Sequence, residues 1–158
     1  MMSSLPSSFG VLTCCEILQL DNNRLKFLPT SIGDLGRLRI LSITRNKCTK
    51  LPDTFKNLRN LEKFYCDQNN LTSLPELPIN LISISANKNL IGPMLPDSIT
   101  KLKALRFCDV ADNKLVQLSH TMGRLLRLTR FNVGNNKISV SSFSYSHPRV
   151  VHTYYCNT

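Results

Sequence analysis

Leu51-Pro-Asp-Thr-Phe55-Lys-Asn-Leu58-Arg-Asn-Leu61-Glu-Lys-Phe64-Tyr-Cys66-Asp-Gln-Asn69-Asn-Leu71 is the stretch that decides the fold. The same order of apolar residues stands one unit earlier as Leu28, Ile32, Leu35, Leu38, Leu41, Ile43 and Cys48. It returns as Leu95, Ile99, Leu102, Leu105, Cys108, Val110 and Leu115. Leu-Pro or a close variant opens a unit at residues 5, 28, 51, 74, 95 and 118, at intervals of 23, 23, 23, 21 and 23. A period kept this closely is the signature of stacked structural repeats.

The chemistry of one unit says how it folds. Two apolar residues two positions apart send both side chains inward from a short strand and leave the residue between them facing out. Apolar residues three or four apart on the returning segment suit a short helix or 3₁₀ turn. Pro29, Pro52, Pro75 and Pro96 suit the first position of that turn, where no amide donor is needed. One unit cannot bury its apolar edge alone, so units must stack on their neighbours. Asn23, Asn46, Asn69, Asn87, Asn113 and Asn136 follow the strands, and their amides are expected to form a structural ladder satisfying backbone groups inside the stack.

Leu61 to Leu71 reads LxxLxLxxNxL, and Leu28 to Leu38 reads LPxxIxxLxxL. These motifs resemble the leucine-rich-repeat (LRR) proteins, and the 23-residue LPxxIGxL form is similar to intracellular LRR proteins related to Ras-pathway scaffolds and Ras suppressors. The resemblance covers roughly residues 5 to 138. It implies an α/β fold: a right-handed solenoid bent into a horseshoe arc, with a parallel concave sheet of about six strands and short helical or 3₁₀ convex segments. It also implies a protein-protein interaction module, a cytosolic adaptor or signalling scaffold binding a protein partner on its concave face. Residues 1–138 form the expected repeat domain, and 139–158 a non-repeat tail or partial cap in which the register fails at Ser141.

The fourth unit is irregular. Leu74-Pro-Glu-Leu77-Pro78 runs directly into Asn80-Leu81-Ile82-Ser83-Ile84, which resembles the short repeats of bacterial effector LRR proteins. After Asn87, Lys88 to Met94 reads as an insertion turning at Gly92-Pro93, either a tolerated change of length or a contact loop.

Aligning the units names the outward strand residues: Ile17, Gln19 and Asp21; Ile40, Ser42 and Thr44; Lys63, Tyr65 and Asp67; Leu81, Ser83 and Ser85; Phe107, Asp109 and Ala111; Arg130, Asn132 and Gly134. Tyr65 and Phe107 among polar groups suit protein recognition, where Tyr and Arg often anchor an interface. The plainer alternative is an ordinary solvated sheet. Six strands at about 4.8 Å make a sheet roughly 24 Å across. A standard interface takes about 800 Å² from each partner, so the loops are expected to take part.

Length and composition set the outer limits. At 158 residues and 42% hydrophobic the chain suits one domain with an ample core. No apolar run approaches the roughly 18–20 residues of a membrane span. Phe9 to Leu20 is not expected to act as a secretion signal, because Glu16 interrupts it and no basic residue precedes it. Cys15, Cys48, Cys66 and Cys108 replace repeat leucines, where free thiols act as small hydrophobes and suit a reducing, cytoplasmic setting. The net charge of +10 permits an acidic protein, an anionic membrane surface or nucleic acid without choosing among them.

Arg24, Lys47, Lys88, Lys114 and Lys137 adjoin the asparagines as a basic edge. The alternative function is therefore a peripheral anionic-membrane or polyanion-binding module. Nucleic acid is disfavoured, since neither a recognition helix nor a stacking surface is evident. No phosphate-binding glycine loop, GxSxG elbow or HExxH helix occurs. His147, His152 and Cys156 lack the paired spacing of a structural zinc site. Neither a catalytic group, a cofactor, a metal nor a small-molecule substrate is expected.

Overall fold

A computed structural model of the chain describes residues 1–138 and the strand Tyr154–Tyr155. The remaining residues of the expected tail, with His147, His152 and Cys156, lie outside the described residues. Seven short strands follow one another in a single sheet in chain order: β1 (Ile17–Gln19), β2 (Ile40–Ser42), β3 (Lys63–Tyr65), β4 (Ser83–Ser85), β5 (Phe107–Asp109), β6 (Arg130–Asn132) and β7 (Tyr154–Tyr155). Every neighbouring pair is parallel, and Leu18, Leu41, Phe64, Ile84, Cys108 and Phe131 stand side by side across the six repeat strands. The fold is a leucine-rich-repeat solenoid. The returning segments are 3₁₀ turns at Ser7–Val11, Thr30–Asp34, Asp53–Asn57, Asp97–Lys101 and His120–Arg124.

Each repeat contributes the same inward residues to one continuous core. In the third, Phe55, Leu58, Leu61, Phe64, Cys66 and Leu71 are all fully buried, with the Phe55 and Phe64 rings 4.7 Å apart at a tilt of 53°. Adjacent convex turns pack closely enough that a Cβ on Gly33 would stand 2.5 Å from the Thr54 carbonyl oxygen. Three of the four prolines expected to open a turn stand one residue before it instead. Pro29, Pro52 and Pro96 are extended, and their carbonyls accept from the amides of Ile32, Phe55 and Ile99. Pro75 precedes no turn. The fourth repeat omits the 3₁₀ segment, and Leu81 donates its amide to the Pro78 carbonyl instead. Across that shortened stretch the Glu76 carboxylate meets both Lys56 (3.4 Å) and Lys101 (3.3 Å), and these ammonium groups lower its pKa.

The asparagine ladder is real, with one member corrected. Asn69 Nδ2 donates to the carbonyls of Ile43 (2.9 Å) and Cys66 (3.1 Å), while its Oδ1 accepts from Cys48 N at 2.9 Å. Asn46, Asn113 and Asn136 repeat this pattern, and Asn23 holds the first rung, accepting from Met2 N. In the fourth repeat the rung is Asn89, not Asn87. Asn89 Nδ2 donates to Cys66 O (3.0 Å) and Ala86 O (3.1 Å), and its Oδ1 accepts from Leu71 N (3.0 Å).

The left-handed residues mark the same register. Asn22, Arg45, Gln68, Lys88, Asp112 and Asn135 have φ between 52° and 56°, and each immediately precedes its ladder asparagine. Lys88 is therefore a turn residue, and Lys88 to Met94 is not a seven-residue insertion. Asn89 and Ile91 are ordinary repeat positions, and only one extra residue separates Ile91 from Leu95 compared with Cys48 and Leu51.

The thiols behave as core. Cys48, Cys66 and Cys108 are buried and free, and Cys14 is exposed. Burial pushes the Cys48 thiol up to about 11 and Cys108 to about 12, with the neighbouring Asp109 charge adding to the latter, so both stay protonated at neutral pH.

Candidate functional site

Strand register sorts the concave face into rows. The first outward row is Ile17, Ile40, Lys63, Ser83, Phe107 and Arg130; the second is Gln19, Ser42, Tyr65, Ser85, Asp109 and Asn132. A third row lies just past the strands, where backbone bonds align Asp21, Thr44, Asp67, Asn87, Ala111 and Gly134. Leu81 belongs to none of these rows. It is fully buried, and the fourth repeat presents Ser83, Ser85 and Asn87 instead of Leu81, Ser83 and Ser85. Asn87 thus leaves the ladder for the concave rim.

The rim along the strand ends is acidic and tied down. Asp21 Oδ1 accepts from the Ser42 hydroxyl (2.5 Å) and the Thr44 amide (2.7 Å). That bond holds Ser42 at 7% exposure, so an outward position offers a partner little surface there. Asp67 Oδ1 repeats the arrangement with the Ser85 hydroxyl (2.6 Å) and the Asn87 amide (2.7 Å). Asp109 accepts from the Ala111 amide and from Asn132 Nδ2 at 3.1 Å. These carboxylates rigidify the rim by bonding across repeats, and Asp21, Thr44, Arg45, Asp67 and Asn87 line a shallow hollow of about 420 Å³ there.

Burial raises the Asp67 carboxyl pKa. The Ser85 and Asn87 bonds act the other way, and the Asp109 charge adds to the rise. A carboxyl raised above its unfolded value contributes fully to stability below the unfolded pKa, and that contribution is lost as pH rises through the folded pKa. Asp67→Asn keeps an oxygen acceptor for Ser85 and Asn87 but cannot ionise. Chemical denaturation at pH 4 and at pH 7 should therefore show the variant gaining stability relative to wild type at the higher pH. A constant difference would place the cost of Asp67 elsewhere.

The other end of the face is apolar and cationic. Arg130 holds its guanidinium carbon 5.2 Å from the centroid of the Phe107 ring, a cation–π contact worth about 0.5–1 kcal/mol at an exposed site. Phe107 remains 39% exposed. Around this pair an open hollow of about 300 Å³ is lined by Ser83, Ser85, Phe107, Asp109, Arg130 and Asn132, with Ile84, Cys108 and Phe131 as its floor. At the strand entry, Arg39 pairs with Glu62 at 3.1 Å. No group of three or more metal-ligating side chains occurs among the described residues. The alignment of repeats names Ser83, Ser85, Phe107, Asp109, Arg130 and Asn132 as outward residues, but spacing carries no signal for the cation–π pairing between two of them.

A family model described as leucine rich repeat matches residues 15–75. No curated protein matches the chain. Among solved structures, the chain is similar to YopM, a leucine-rich effector protein of Yersinia pestis, at 27% identity and a TM-score of 0.71 over 86% of this chain and 41% of that one. PEPR1-AtPEP1 is similar at 30% identity and a TM-score of 0.75, over 84% of this chain and 20% of that one. The LRR ectodomain of the plant membrane receptor kinase GASSHO1/SCHENGEN3 from Arabidopsis thaliana shares the fold at 24% identity and a TM-score of 0.76, over 84% of this chain and 17% of that one. The chain spans less than half the length of the solved chains it matches. The solenoid, its repeat register and the matching family model together support a leucine-rich-repeat protein.

Proposed function

We propose that this chain is a protein-binding module, an adaptor or signalling scaffold of the cytoplasm that receives a polypeptide partner on its concave face. The observation that carries this reading is the exposed Phe107–Arg130 pair over the hollow bounded by Ser83, Ser85, Asp109 and Asn132. An aromatic ring, a guanidinium and several fixed polar groups beside one cavity are the usual anchors of an interface. Two of the similar structures support a polypeptide as the kind of partner. GASSHO1/SCHENGEN3 is held with CASPARIAN STRIP INTEGRITY FACTOR 2, and PEPR1 with AtPEP1. The cytoplasmic placement rests on free, protonated thiols at Cys48, Cys66 and Cys108. Because the sheet alone falls short of a standard interface, the partner must also touch the rim loops.

The test is capture from cytosolic extract by wild type and by Phe107→Ala/Arg130→Glu, with circular dichroism confirming that both fold. Loss of both anchors should weaken retention of one specific protein by at least about tenfold. An Arg37→Glu/Arg59→Glu control on the returning segments should retain it. Equal retention by all three proteins would overturn the concave reading.

A further inference from the structure

The basic residues are not spread evenly around the flank that descends from the strand ends to the convex turns. Residues 23–33 and 46–52 of the first two repeats carry Arg24, Lys26, Lys47 and Lys50, all exposed, and no acidic residue. These stretches run side by side, since Lys47 N bonds to Leu25 O (2.9 Å) and Thr49 N to Lys26 O (3.2 Å). Among the described residues none of these four cations is in an ion pair, whereas Arg39, Lys56 and Lys101 are. Farther along, Asn70 and Leu90 replace the cation at the position of Arg24 and Lys47. Lys114 restores it in the fifth repeat, but Val116 and Gln117 stand there at the positions of Lys26 and Lys50, so the concentration belongs to the first two repeats.

Large apolar side chains project from the same place. Phe27 is 52% exposed, between Lys26 and the neighbouring Lys50. Met2 is 45% exposed and is fixed to the flank, because Arg24 N donates to Met2 O (2.8 Å) and Met2 N to Asn23 Oδ1 (2.8 Å); Met1 beside it is 87% exposed. An aromatic ring and two flexible thioethers amid unpaired cations have no role in the core or on the concave sheet.

We infer that this flank docks on an anionic lipid bilayer, with Phe27, Met1 and Met2 entering the headgroup–acyl boundary and Arg24, Lys26, Lys47 and Lys50 meeting lipid phosphates. Electrostatic attraction to an anionic leaflet and burial of apolar groups at its boundary add, and each is weak alone. A nucleic acid would use the cations but leave the methionines exposed, with a single ring to stack on. Docking on the flank leaves the concave sheet open, so the surface is independent of the protein-binding reading.

Cosedimentation of the whole chain with vesicles of phosphatidylcholine alone, and of phosphatidylcholine mixed with phosphatidylserine, tests this. Wild type should partition onto the mixed vesicles and not the neutral ones. Lys26→Glu/Lys47→Glu/Lys50→Glu should weaken partitioning by at least about a hundredfold, since losing each cation near the surface counts for about a factor of five and the added carboxylates are repelled as well. Phe27→Ser should weaken it about tenfold without changing net charge. Arg124→Glu/Arg127→Glu/Lys137→Glu makes the same charge change at the far end of the array, more than a Debye length of about 8 Å away, and should have little effect. Circular dichroism verifies that each variant folds. The inference is overturned if the mixed vesicles are not bound or if the two triple variants lose binding equally. A short single-stranded DNA bound in preference to vesicles, with the same dependence on Lys26, Lys47 and Lys50, would also overturn it.

Discussion

Asn89→Ala should destabilise the chain by about 2–4 kcal/mol, while Asn87→Ala, two residues away, should change stability by no more than about 0.5 kcal/mol. The difference lies in what each side chain touches. Removing the Asn89 amide strands the buried Leu71 N–H, whose acceptor is Asn89 Oδ1. It also removes one of two asparagine donors from Cys66 O, which Asn69 shares, and one of two from Ala86 O, which Asn113 shares. Leaving a buried donor unsatisfied costs its full desolvation, about 1–3 kcal/mol, and the weakened carbonyls add to that. Asn87 contributes to the rim through its backbone amide, bonded to Asp67, and alanine retains that amide. Urea denaturation followed by circular dichroism reads both variants. Similar losses at the two positions would mean the fourth repeat keeps the other register.

That register explains where the sequence was legible and where it was not. Five of six repeats follow one spacing because an inward leucine, isoleucine, valine, phenylalanine, methionine or cysteine occupies the core positions, so the strands, the inward rows and five ladder asparagines could be placed from periodicity alone. In the fourth, Ile82 and Ile84 stand two apart and imitate the inward pair. The actual pair is Ile84 and Ala86, both buried, with Ile82 partly exposed. Alanine carries almost no hydrophobic signal, so the false pair wins by side-chain size and shifts Leu81 and Asn87 to positions they do not hold. Among the concave residues, alternation correctly turned Ser42 outward but could not show that Asp21 ties its hydroxyl down. This contact joins residues 21 apart in neighbouring repeats and depends on side-chain rotamers, which spacing does not encode. The cation–π pair of Arg130 and Phe107, one repeat apart, escaped for the same reason.

Phe64→Ala should cost about 3–5 kcal/mol, the range for removing a buried phenylalanine where the surroundings cannot collapse. Phe64 is the inward residue of β3, fully buried, with its ring against Phe55 of the preceding convex turn and its backbone paired between Leu41 and Ile84. In a solenoid each repeat touches only its neighbours, so stability is a sum of repeat and interface contributions. A cavity at the third of six repeats weakens both interfaces of that repeat and separates the first two repeats from the last three. The urea transition should therefore broaden or split as well as move to lower denaturant. The four tyrosines provide a second probe in a chain without tryptophan. Phe107→Ala supplies the contrast: its ring projects from β5 into the concave hollow at 39% exposure, so the loss should stay below about 1 kcal/mol. A Phe107 variant as unstable as the Phe64 variant would make that ring part of the core, and any binding lost with it would then report unfolding instead of a missing anchor.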